Sequence, residues 1–150
     1  MKHDDLLILS HLRSNARKSL VEISLETNIP HSTIHHKLKS FEQGIVKKHT
    51  SLLDFKKLGY DHRSCMVLKV DKKDTERLEN FLYYHTNVNS LFRVDNGYAF
   101  MIDGVFKNIK QRNQFLEYVE ETFNLVDKQV YDVVEDVKQE AMLNHNEVRV

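Results

Sequence analysis

The chain is poor in several residues that define whole classes of protein. It has one cysteine, Cys65, in 150 residues. An internal disulfide needs two, so no disulfide framework holds this fold, and a lone thiol fits a reducing compartment. There is one proline, and there are four glycines and no tryptophan. So few chain breakers exclude a low-complexity or disordered composition. No apolar run approaches the roughly 20 residues that a membrane helix needs. The opening "MKHDD" turns acidic at once, and "LLIL" is too short for a signal-peptide core. These absences predict a soluble, cytoplasmic protein with no membrane partner.

What is present is enough apolar material to fold. Hydrophobic residues make up 41% and charged residues 29%, which suits one or two small domains with real cores. The formal net charge is zero, but it is unevenly spread. Residues 1–60 carry ten Lys and Arg against six Asp and Glu, and six of the nine histidines. The remainder is acidic by the same margin. A basic first part joined to an acidic second part points to two domains with different partners.

The first part reads as three short helices. Leu6, Leu9 and Leu12 form one apolar stripe over residues 5–13, with Asp4 and Asp5 where a helix N-terminus favours negative charge. "SLVE", residues 19–22, is a capping box: Ser19 and Glu22 can each satisfy an orphan backbone N–H. Its helix runs to about Thr27. Asn28 tolerates the left-handed turn that follows, and Pro30 permits a new helix start. The third helix spans roughly 31–43, with Gly44 expected as its C-cap. Ile34, Leu38 and Phe41 fall within about 60° of one another and form its buried stripe. Opposite lie Ser32, His36, Lys39 and Gln43, flanked by Thr33, His35 and Ser40. That face is polar and basic and has no aspartate. Two short helices joined by a tight turn, the second with such a face, make a helix-turn-helix. "IVKKHTSLLDF" then suits a small hairpin, or wing, carrying Lys47, Lys48 and His49. "KKLGY" reads as a link.

His31 and His35 stand four residues apart, a spacing that can share an ion. No Cys, Asp or Glu within residues 31–40 completes a shell, so no metal and no cofactor is expected. An imidazole face that gains charge as pH falls from about 7.5 to 6 is the alternative, and it predicts DNA affinity that rises over that range.

Residues 61–138 alternate as strand, helix, strand, strand, helix, strand. Met66, Leu68 and Val70 share one face of the first strand, with Cys65 and Val67 on the other. "DTERLENFLYYH" is a helix with Leu78, Phe81 and Leu82 spaced for packing. "SLFRV" and "YAFMIDGVF" flank Asn96-Gly97, a hairpin-turn pair. "NIKQRNQFLEYVEETF" buries Ile109, Phe115, Leu116, Val119 and Phe123. "KQVYDVVEDVK" is the last strand. The expected fold class is α+β: an N-terminal winged helix-turn-helix, then a ferredoxin-like βαββαβ domain with both helices on one sheet face. The other face needs cover, for which a second copy is the common solution.

Several stretches together resemble the Lrp/AsnC family, the feast/famine regulators. "DLLILSHLRSNARKS" resembles the family's first helix and the Asn-Ala-Arg-x-Ser that follows it. "SLVEISLETNIPHSTIHHKLKSFEQGIV" resembles its helix-turn-helix, "KKHTSLLDFKKLGY" its wing and linker, and "YDVVEDVKQ" its last strand. The likeness covers about residues 4–143. It implies sequence-specific binding to double-stranded DNA, transcription regulation, and assembly as a homodimer or a higher even-numbered oligomer. It also implies an amino acid or other small effector in the second domain. The expected boundaries are 1–54 for the DNA-binding domain, 55–60 for the linker, 61–143 for the ferredoxin-like effector and oligomerisation domain, and 144–150 for a tail.

On this reading Ser32, Thr33, His35 and His36 read bases, while Lys37, Lys39, Lys47 and Lys48 contact phosphates, with Arg17 as a further cation. The family's Gly-Asp-x-Asp effector loop falls on Asn96, Gly97, Tyr98 and Ala99, and its two acidic side chains are missing. Pro30 stands where the family has a serine, and the run from Glu42 to Gly44 is one residue short. Cys65 reads as a small core residue. Two alternatives stay open. One is a sirohaem-decarboxylase-like enzyme on the same two-domain build, although no clustered acid, base or nucleophile demands it. The other is an interaction module without DNA binding, against which Lys39, Lys47 and Lys48 argue.

Overall fold

The computed structural model describes residues 2–95 and 99–144. They fall into two compact units, Met1–Leu52 with Val137–Val150, and Leu53–Asp136.

The first unit holds α1 (His3–Ser14), α2 (Leu20–Thr27) and α3 (His31–Gly44). Each start has a local cause. The backbone N–H of Lys2 donates to Asp5 at 3.0 Å. The Ser19–Glu22 capping box forms in both directions. Asn28 takes the left-handed conformation, φ 57°, at the end of α2. The turn after it is tied by side chains: Ser24 Oγ donates to the Ile29 carbonyl, and Thr27 Oγ1 accepts from the Ile29 N–H. Ile8, Leu9, Ile23, Ile29, Ile34 and Phe41 form the core, with Leu38 and Val46 packed against it. Buried His11 lies 3.1 Å from Lys18 Nζ, which also bonds Glu26 at 2.6 Å.

Two expectations fail here. Gly44 is not a left-handed C-cap but the last right-handed residue of α3. The helix stops because the Ile45 and Val46 N–H groups both turn back to the Phe41 carbonyl while Val46 enters the core. The wing hairpin is also absent: among the described residues, 46–54 contain no strand. That run has no turn pair such as Asn-Gly to close a hairpin, and Leu52 and Leu53 stay exposed.

The second unit contains β1 (His62–Val70), α4 (Thr75–Tyr84), β2 (Val88–Arg93), β3 (Phe100–Phe106), α5 (Ile109–Thr122) and β4 (Leu125–Asp132). The sheet order is β2-β3-β1-β4, antiparallel throughout, the ferredoxin-like arrangement expected. Met66, Leu68 and Val70 alternate inward along β1. They meet Leu78 and Leu82 of α4 and Phe115, Leu116 and Val119 of α5 in one core.

Two predicted details change. Ile109 is more than half exposed, because the first residue of α5 precedes the turn that reaches the core. β4 ends at Asp132, not near Lys138. Asp132 pairs with Ser64 near the start of β1, and among the described residues one further backbone bond to β1 follows, Val133 N–H to the Arg63 carbonyl. Beyond it the chain has no strand to pair with, and Val134 and Val137 are exposed.

The sheet face away from the helices carries Val67, Met101 and Phe92 side by side, and Cys65 beside Tyr131. Phe92 and Tyr131 are exposed. Arg63 crosses this face as a double fork, with Asp103 Oδ1 at 2.7 Å from Nε and Asp136 Oδ1 at 2.7 Å from an Nη. These carboxylates hold the Arg63 charge, its pKa raised chiefly by the bond to Asp103.

Candidate nucleic-acid interface

The stripe of α3 that builds the core leaves a defined remainder. Ile34 is fully buried and Phe41 nearly so. Ser32, His35, His36, Lys39 and Ser40 are exposed, and Thr33 is half-buried. Ser32, Thr33, His36 and Lys37 line one shallow depression. Three of the sequence-predicted base readers, Ser32, Thr33 and His36, therefore lie together at the N-terminal half of α3, and His35 is exposed outside that depression. Pro30 supplies no side-chain cap there, so the first backbone N–H groups of α3 stay open to an external acceptor.

The cations divide. Lys39, Lys47 and Lys48 are exposed, and none has an ion-pair partner among the described residues. Lys37 is different. Its ammonium pairs with Asp5 of α1, and both side chains are largely covered. The Lys37 bond, then the Lys2 backbone N–H, hold the Asp5 carboxyl below its ordinary range. Lys37 thus joins α3 to α1 and has less freedom to reach a phosphate than the other lysines. The sequence reading missed this partnership, which spans the whole unit and leaves no local pattern.

His31, His35 and His36 are exposed. Among the described residues, no three His, Cys, Asp or Glu side chains converge on one point. His49 lies 3.4 Å from Glu42 at the end of α3.

Of the expected effector residues, Asn96, Gly97 and Tyr98 lie outside the described residues. Ala99 is half-buried, donating its N–H to the Leu68 carbonyl and packing against the core.

Residues 5–44 match the family model for winged helix-turn-helix DNA-binding domains. An uncharacterized HTH-type transcriptional regulator of Pyrococcus furiosus is 31% identical over 149 residues, covering 92% of this chain and 90% of that one. The chain belongs to the Lrp/AsnC family of DNA-binding transcription regulators. The fold of this Lrp/AsnC protein is shared with AsnC of E. coli, with a TM-score of 0.80, 20% identity, and coverage of 93% and 95% of the two chains. It is also shared with a Neisseria meningitidis transcriptional regulator solved in complex with L-Met, with a TM-score of 0.83, 21% identity and 93% coverage of each chain.

Proposed function

We propose that this regulator places α3 in the major groove, with Ser32, Thr33, His35 and His36 contacting base edges and Lys39, Lys47 and Lys48 contacting phosphates. The observation that carries it is the division of α3. One face is spent on the core, and the other is exposed, rich in donors and without aspartate, with Glu42 at its C-terminal margin. Hydroxyls and imidazoles match base-edge donors and acceptors, and lysines neutralise backbone charge. Lys37 serves the fold first, through Asp5.

We read the protein as a homodimer or a larger even-numbered assembly, paired through the open sheet face. Val67, Met101, Phe92 and Tyr131 offer apolar area there that one copy leaves partly uncovered. Two α3 helices would then meet a pseudo-palindromic site. A small effector acts through the second unit. The L-Met complex of the Neisseria regulator supports an amino acid. Gly97 and Ala99 leave an amino acid's ammonium group without the family's two carboxylates, so a different small effector, or none, is the alternative. The regulatory role favours a cytoplasmic, non-enzymatic protein, and the regulators it resembles support that reading.

The test is selection of binding sites from random duplex DNA with the full chain, with and without an amino-acid panel. Enrichment of a two-fold symmetric motif is the expected result. Recovery of no sequence above background, at low salt, defeats the proposal.

A further inference from the structure

The first unit has a groove of about 570 Å³ beside the C-terminal end of α1. Arg13, Arg17, Lys48 and His49 all line it. Its single acidic lining residue, among those described, is Glu140, which arrives with Asn144 on the C-terminal segment. That segment is held by a specific set of bonds. Arg13 Nε donates to the Met142 carbonyl at 3.1 Å. An Arg13 Nη donates to the Glu140 carbonyl at 2.8 Å and to Glu140 Oε2 at 3.1 Å. Ser14 Oγ donates to Asn144 Oδ1.

The backbone there is unusual. Glu140 has φ 48° and Leu143 φ 59°, both left-handed and neither glycine. Such a conformation persists where surrounding contacts fix it. Here it turns a carboxylate onto the guanidinium of Arg13. Arg17 and Lys48 have no ion-pair partner among the described residues. The groove therefore has more positive charge than its one internal anion neutralises.

We propose that this groove binds a backbone phosphate and that Glu140 is its built-in competitor. A guanidinium donates to the oxygens of a carboxylate or of a phosphate in the same geometry. The Glu140 carboxylate takes one Nη hydrogen bond of Arg13, beside the Met142 and Glu140 carbonyls, until a phosphodiester displaces it. Arg13, Arg17 and His49 thereby join Lys48 as a sequence-independent contact, and the C-terminal segment sets how readily it forms. The inference rests on the DNA-binding reading for its natural ligand, but not for the competition itself.

The test uses the full chain as wild type, Glu140→Gln, Arg13→Gln and the double variant. Affinity is measured for a non-specific duplex by anisotropy and for inorganic tripolyphosphate by calorimetry, at fixed low salt. Glu140→Gln is expected to bind both about threefold tighter, and the gain disappears when Arg13 is also glutamine. Tripolyphosphate affinity unchanged or weaker in Glu140→Gln overturns the proposal, as does a gain that survives Arg13→Gln. If tripolyphosphate behaves as expected while no variant binds the duplex, the anion groove stands and the DNA-binding reading falls.

Discussion

Lys37 of α3 and Asp5 of α1, 32 positions apart in sequence, form an ion pair inside the first unit. The pair ties α3 to α1 beside the proposed base readers, since Lys37 lines the same depression as Ser32, Thr33 and His36. Asp5 in turn accepts from the Lys2 backbone N–H, so one carboxylate both starts α1 and anchors α3.

Lys37→Ala and Asp5→Asn are each expected to lower the thermal midpoint by a few degrees. The double variant should lose little more than either single change, because the partners act as a unit. The folded carboxyl titrates below its ordinary 3.8. The contribution of Asp5 is therefore full above that value and is lost as pH falls through the lower folded one. Thermal scans of wild type and Asp5→Asn from neutral to acid pH should converge at the acid end. Additive losses, or a gap that widens in acid, would show that the pair does not act as described.

Gly104→Ala should destabilise the second unit by about 1–3 kcal/mol, the usual cost of overpacking. An added Cβ would lie 2.7 Å from Met66 Cε and 2.7 Å from the Phe106 ring. The Met66 tip can move, but Phe106 is fully buried and has nowhere to turn. Urea unfolding of the variant measures this directly, and an unchanged midpoint would contradict the geometry.

His85 sits among Phe81 and Phe115, with its Nδ1 accepting from the Asn87 N–H. Burial holds its pKa below the ordinary 6.5. The folded state thus resists protonation that the unfolded state accepts. Stability is expected to be full above about pH 6.5 and to fall as pH drops through the lower folded value. His85→Phe should flatten that part of the stability profile. A wild-type curve already flat between pH 7 and 5 would show that His85 titrates alike in both states.

His36→Ala and Lys48→Ala separate reading from holding. The first is expected to change which sequences bind. The second should weaken all sequences about equally and lower the salt slope by about one unit. Site selection and salt titration on both variants check this. Two variants that merely lose affinity across every sequence would remove the distinction.

Much of this was legible in the chain because the causes are local. Ser19 and Glu22 are close enough to cap α2 whatever surrounds them. Ile34, Leu38 and Phe41 mark the inward stripe of α3 by spacing alone. The strand order of the second unit follows from its βαββαβ pattern. What escaped depended on partners. The wing was read from β-branched residues, but a hairpin also needs a turn and a pairing strand, and 46–54 has neither. Ile109 fits the apolar period of α5, yet its place at the helix start leaves it short of the core. β4 was read too long because β1 stops offering bonds near Ser64.

By itself the sequence determined the two-part build, the inward face of each helix and the family likeness, because periodicity and capping act over a few residues. Only the tertiary structure decided that Lys37 belongs to Asp5 and that Arg13 is held by Glu140. Those bonds join residues 32 and 127 positions apart. Their geometry exists only once the helices have packed and the segment around Glu140 lies against α1.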